Sequence, residues 1–199
     1  MRDYDKSVHI FSAEEGMVIA TMRGVRRPMA KMKFACQPFA FCEYELNEKN
    51  GNYTVTGAST VGDLFPLTQI PEKFFAGSVV TEIVECCALD SDSATLFIVS
   101  LKTLKSILIS NADLSLILAK FVQKVLSING VLPPLVAPKN PDSAEGLLYK
   151  IARLTMDEVV RLNPPKSHCR VALKQMLASF EKACEVKLKS SKSFFEILN

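Results

Sequence analysis

Apolar positions in this chain recur every second residue up to about residue 60 and every three to four residues from Pro66 onward, a change of period that predicts strands first and helices afterwards. Val8 to Phe11 and Met17 to Met22 are short apolar runs on either side of Ser12-Ala13-Glu14-Glu15-Gly16, and turn residues between two such runs predict a hairpin. A third strand is expected from about Phe34 to Leu46. There Cys36, Ala40, Cys42, Tyr44 and Leu46 alternate with Gln37, Phe39, Phe41, Glu43 and Glu45. Asn50-Gly51 supplies the two positive-φ positions of a tight hairpin, returning the chain along Tyr53-Thr54-Val55-Thr56.

Beyond Pro66 the pattern is helical. Pro71 suits the first turn of a helix that carries Phe74, Phe75, Val79, Ile83 and Val84 on one side. Phe97, Leu101, Leu104 and Leu108 mark a second helix; Leu114, Ile117, Phe121, Val125 and Ile128 mark a third that stops near Gly130. Pro133, Pro134, Pro138 and Pro141 predict a stiff loop, after which Leu147, Leu148, Ile151, Leu154 and Val159 continue the helical spacing. A fifth helix is expected after Pro164-Pro165, with Leu173, Met176, Leu177, Phe180, Cys184 and Leu188 as its core stripe. The expected fold is therefore α+β, with an all-β barrel over residues 1–65 and an all-α helical bundle over residues 66–199.

Composition narrows the class further. The 199 residues are 48% hydrophobic and 23% charged, ordinary values for a globular chain, with no low-complexity segment. The charged start, Met1-Arg2-Asp3-Tyr4-Asp5-Lys6, leads into no apolar signal region. The longest uncharged stretch, Val125 to Pro138, contains Gly130 and three prolines and falls short of a membrane span. None of the six cysteines has C-x-x-C spacing, and they read as reduced, mostly buried small hydrophobes. Vicinal Cys86-Cys87 could form a redox pair or half a metal site, but the preceding Val79 to Glu85 has helical periodicity.

Net charge is only +3, so its distribution carries the signal. Arg23, Arg26, Arg27, Lys31 and Lys33 lie between Met22 and Cys36 with no acid among them. Joining two strands, such a segment lets phosphate oxygens approach several cations at once, and Pro28 stiffens it. The plain alternative is a solvated loop. Phe39, Phe41 and Tyr53 offer stacking faces, with core packing expected for at least two of them. Lys166, Arg170 and Lys174 fall at i, i+4 and i+8, so a helix aligns three like charges at a cost of a few tenths of a kcal/mol per pair. A solvated face explains them equally well. Lys187, Lys189 and Lys192 extend positive charge toward the carboxyl end, where they would complement a helix dipole.

Catalytic signatures fail. Gly57-Ala58-Ser59-Thr60-Val61-Gly62 has the glycine spacing of a phosphate loop, but Asp63 and Leu64 replace the required Lys and Ser/Thr, so it reads as a turn. His9 and His168 belong to no metal or nucleophile signature, and no carboxylate pair has acid/base spacing.

The ordered set of segments resembles the RecO recombination mediators of bacterial DNA repair. Arg2-Asp3-Tyr4-Asp5-Lys6 with Val8 to Gly16 is similar to that family's opening, Arg23-Gly24-Val25-Arg26-Arg27-Pro28 to its basic loop, and Gln37-Pro38-Phe39 to the strand that follows. Phe121 to Gly130 and Lys187 to Phe194 resemble its helical domain and tail. The resemblance implies an amino-terminal OB-fold, a cytoplasmic protein without enzymatic turnover or cofactor, binding of single- and double-stranded DNA, and strand annealing. It also implies RecR and the acidic tail of single-stranded-DNA-binding protein as partners, with the family member helping RecA displace that protein from gapped DNA. Lys166, Arg170 and Lys174 are the candidates for that tail.

Three departures accompany the likeness. The family's first strand has no counterpart before Arg2, so the barrel is expected to be one strand short, through a truncated or misassigned start. The zinc cysteines that many members carry are missing between Gly130 and Pro141, so no metal is expected. Met29-Ala30 replaces the small polar residue that usually follows the basic loop's proline. The leading reading is a DNA-binding mediator using Arg23, Arg26, Arg27, Lys31 and Lys33. An adaptor that keeps only protein contacts is the alternative, and an enzyme with an unrecognised site a distant third.

Overall fold

The structure, a computed structural model, describes residues 3–88 and 92–198; Arg2, the first residue of the segment with a family likeness, lies outside the described residues. Four strands form one sheet: β1 (Lys6–Ser12), β2 (Gly16–Met22), β3 (Phe41–Lys49) and β4 (Asn52–Gly62). Their order is β1-β2-β4-β3. The outer pairs are antiparallel hairpins, whereas β2 and β4 run parallel and meet only at Ala20↔Tyr53 and Thr21↔Thr54. The expected hairpin turns are present. Gly16 has φ 66°, and Asn50 and Gly51 have φ 53° and 73°, the left-handed pair that a two-residue hairpin loop requires.

The sheet is open rather than closed into a barrel, with β1 and β3 at its edges. Two strand boundaries depart from the sequence pattern. The third strand begins at Phe41, not Phe34, because Lys33–Cys36 winds into a 3₁₀ turn that buries Ala35. Phe39 then adopts φ 61° and turns its ring toward the helices. Gly57 to Gly62 is no turn but the second half of β4, paired with β3 as far as Phe41↔Gly62.

Helices follow: α1 (Pro71–Cys87), α2 (Ser93–Ile109), α3 (Leu114–Ile128), α4 (Ala144–Ile151), α5 (Met156–Val159), α6 (Lys166–Ala183) and α7 (Lys189–Ile197). Asp92, Asp113 and Ser143 accept N–H bonds at the starts of α2, α3 and α4. The run from Leu147 to Val159 is two helices, since Thr155 and Glu158 form a reciprocal capping box that starts the second. Helix α3 is the axis of the bundle, buried on every side from Ser115 to Gln123. Its Lys120 and Gln123 side chains donate to the Ile151 and Leu148 carbonyls at the end of α4, at 2.8 and 3.0 Å. Burial first, then the Lys124 ammonium, holds Lys120 below its ordinary value, with Glu158 opposing them.

Leu188 does not extend α6. That helix ends at Ala183, Glu185 turns the chain at φ 55°, and Leu188 leads into α7. Lys189 and Lys192 therefore stand in the first turns of a new helix, where positive charge opposes the dipole instead of complementing it. Glu82 on α1 supplies the compensation: its carboxylate accepts the Lys189 and Ser190 N–H groups at 2.9 and 2.8 Å and also takes the Ser190 hydroxyl.

The main core fills the bundle, and Phe11, Met17, Phe39 and Phe41 pack against it from the β region. A smaller cluster of Ala20, Met22, Val25, Ala35 and Val55 closes under the sheet. Burial, with Cys184 nearby, pushes the Cys87 thiol up to about 12, so it stays protonated at neutral pH. No helix among the described residues is long and apolar enough to cross a membrane.

Candidate nucleic-acid interface

The connector from β2 to β3 leaves the sheet at Arg23 and is pinned at both ends. Gly24, at φ 63°, donates its N–H to the Asp5 carboxylate at 2.8 Å, and the Arg26 N–H donates to the Tyr4 carbonyl at 3.0 Å. Val25 and Ala35 are 3% and 2% exposed, so two apolar side chains anchor the loop in the smaller core. At its far end the Lys6 ammonium donates to the Cys36 carbonyl at 2.6 Å and the Tyr44 hydroxyl to that of Ala35 at 2.7 Å.

Between these anchors Arg23, Arg26, Arg27, Lys31 and Lys33 are all exposed. Among the described residues none of the five is in an ion pair. Lys33 donates to the Pro28 carbonyl at 2.8 Å, and the Arg27 guanidinium lies 5.5 Å from the centre of the Tyr4 ring. The backbone is thus held while all five cationic residues stay exposed, an arrangement suited to a polyanion. Among the described residues, Asp5 is the acid that accepts a backbone N–H of the connector.

The aromatic residues sort differently from the cations. Phe39 packs edge-on against Phe74, ring centres 5.8 Å apart, and Phe41 lies near Phe97 beneath Lys105. Tyr53 is half-buried against the smaller core. The core reading therefore holds for Phe39 and Phe41. The exposed rings at the connector are Tyr4 and Phe34, 53% and 43% exposed, neither of which stands out in the sequence. Tyr4 and Asp5 were reachable through register, because β1 and β2 pair with Lys6 opposite Met22, and continuing that pairing sets residues 4 and 5 against 24 and 23.

On the bundle, α6 aligns Lys166, Arg170 and Lys174 as its spacing requires. Lys166 and Arg170 share a cleft of about 460 Å³ with Glu72, Asp113 and Leu198. Arg170 donates to the Leu198 carbonyl at the end of α7 at 2.6 Å, and the Lys174 ammonium lies 5.3 Å from the centre of the Phe195 ring. Two of the three cations are thus in contact with the carboxyl-terminal helix, and the cleft holds acids as well as bases.

The fold and its exposed cationic connector define a class: an open β domain of the OB-fold type carrying a helical bundle. Residues 1–63 match the family model described as Recombination protein O N terminal. Relatives named DNA repair protein RecO include that of Pelotomaculum thermopropionicum, 29% identical over 66% of this chain and 51% of its own length. Those of Desulforamulus reducens and Caldanaerobacter subterraneus subsp. tengcongensis are 24% and 23% identical, over 68% and 73% of this chain and 52% and 59% of their own lengths. The chain is thus similar to RecO proteins, through the family model over its first 63 residues and through these relatives. It spans about half the length of the curated relatives it matches.

Proposed function

We propose that this chain acts in DNA repair and recombination as a non-catalytic mediator, holding DNA phosphates with Arg23, Arg26, Arg27, Lys31 and Lys33. One observation carries the reading: five exposed cations, none ion-paired among the described residues, sit on a backbone fixed by Tyr4 and Asp5 in a RecO-type domain. Single- and double-stranded DNA are both ligands, and strand annealing follows from holding two polyanions on one cationic surface. The helical bundle, in a cytoplasmic protein, recruits RecR and the acidic tail of single-stranded-DNA-binding protein, so that RecA can be loaded on gapped DNA. Lys166, Arg170 and Lys174 receive that tail, with Arg170 shared between it and the end of α7. The domain division at residue 65 assigns DNA to the first unit and partners to the second.

Fluorescence anisotropy with labelled single-stranded DNA across a salt series tests the DNA role. Five phosphate contacts give a slope of log affinity on log salt of about −3.5. Changing Arg23, Arg26 and Arg27 together to alanine should flatten it by about 2. Absence of binding at low salt, or an unchanged slope, would leave only a protein adaptor.

A further inference from the structure

The connector is more than a set of phosphate contacts. Tyr4 stands just ahead of β1, and its backbone is locked to the loop because its carbonyl accepts the Arg26 N–H at 3.0 Å. The next residue, Asp5, accepts the Gly24 N–H at 2.8 Å. The backbone that carries the ring is therefore fixed against the loop. Tyr4 is nonetheless 53% exposed, with the Arg27 guanidinium 5.5 Å from the centre of its ring. An aromatic face open to solvent beside a guanidinium is available to a planar partner.

Phe34 repeats the arrangement at the other end of the loop. It belongs to the short 3₁₀ turn Lys33–Cys36, where Ala35 is buried and anchors the turn, while Phe34 is 43% exposed next to Lys33. The Lys6 to Cys36 bond at 2.6 Å ties this turn to the strand that follows Tyr4. Tyr4 has the Arg27 guanidinium beside its ring, while Phe34 follows Lys33 in the chain, whose ammonium is bonded to the Pro28 carbonyl.

We infer that Tyr4, with Phe34 as a second platform, stacks unpaired bases and makes this surface prefer single-stranded over duplex DNA. The inference rests on the phosphate-binding role proposed for the connector. The chemistry favours nucleic acid as occupant: phosphates meet Arg27 and Lys33, and the base they carry comes within reach of the adjacent ring. In a duplex the faces of the bases are already covered, so the rings add little. Every base has a π-face, so the preference is for strandedness, not sequence.

The test measures affinity for an unlabelled oligothymidylate and for a duplex of equal length, in wild type and in Tyr4→Ala, Tyr4→Phe and Phe34→Leu. The chain has four tyrosines and no tryptophan, so the part of the tyrosine quenching on binding that disappears in Tyr4→Phe reports the contact. Tyr4→Ala should weaken single-strand binding roughly 5- to 100-fold, leave duplex binding within about twofold, and keep the salt slope. Tyr4→Phe should retain single-strand affinity, and Phe34→Leu should lower it less than Tyr4→Ala does. Circular dichroism melting matched to wild type confirms that the variants fold. Equal losses on both ligands, or no loss on the single strand, overturn the stacking role while the phosphate role stands. A wild-type chain that binds neither ligand overturns both.

Discussion

The Asp5 carboxylate accepts the Gly24 N–H at 2.8 Å, joining the approach to β1 to the exit from β2 and fixing where the basic connector starts. Gly24 needs φ 63° there, a conformation that costs an ordinary side chain about 1 kcal/mol or more. Asp5→Ala should cost about 1 kcal/mol and lower the melting temperature by about 2–4 °C. Asp5→Asn, which keeps an oxygen acceptor, should lose less than half of that. Faster amide exchange at Gly24 in Asp5→Ala would locate the effect; unchanged exchange would show that the bond does not hold the loop.

Phe39 owes its place to a glycine on α1. A Cβ built on Gly77 would lie 2.7 Å from Cζ of the Phe39 ring, closer than any stable contact. Gly77→Ala should therefore destabilise the chain by about 1–3 kcal/mol through overpacking. Combined with Phe39→Leu it should cost less than the sum of the two single losses, measured in a denaturant double-mutant cycle. Strict additivity would mean that the ring is not what the methyl group meets.

Gly146 tells a similar story with a harder neighbour. Its Cβ would meet the Pro141 carbonyl oxygen at 2.1 Å, and a backbone atom cannot swing aside as a ring can. Gly146→Ala should push the stiff proline loop off the start of α4, costing more than Gly77→Ala although alanine is the better helix former by about 1 kcal/mol. Urea midpoints of the two variants give the comparison, and a neutral Gly146→Ala would mean that the loop is free to move.

Glu82 makes the seating of α7 depend on pH. Burial alone would raise its carboxyl, but the Ser190 hydroxyl, the Lys189 and Ser190 N–H groups and the Lys189 ammonium together hold it below its ordinary 4.5. The unfolded chain then binds the proton more tightly than the folded one. The contribution is complete above pH 4.5 and fades as pH falls through the lower folded value. Amide resonances of α7 followed from pH 6 to 3 should shift together as the helix loosens, and Glu82→Gln should remove most of that dependence. If the acid transition of α7 is the same in Glu82→Gln, another group controls it.

Much of this architecture can be read from periodicity, and the failures have local causes. The alternation from Phe34 to Leu46 fits a strand, yet Phe39 leaves the sheet plane for Phe74 and Gly77, a tertiary contact that no strand period encodes. The glycines at 57 and 62 suggested a turn. In the sheet they face Glu45 and Phe41, whose side chains occupy the space a Cβ would take. The break before α5 was legible in Thr155-x-x-Glu158, a capping signature hidden beneath continuous apolar spacing. At the candidate interface the cations stand out because no acid interrupts them. Tyr4 and Asp5 do not, because their partners lie across the hairpin, about twenty residues on.

The two-residue parallel contact between β2 and β4 bears on how the sheet assembles. Each flanking hairpin closes through neighbours in sequence and can form early, whereas the seam must wait until the connector and β3 have ordered, a longer closure with only two residue pairs to reward it. The seam should be the last part of the sheet to form and the first to part. Amides of Ala20 and Thr54 would then exchange ahead of those in the hairpins, and the connector's two ends would separate while both hairpins persist.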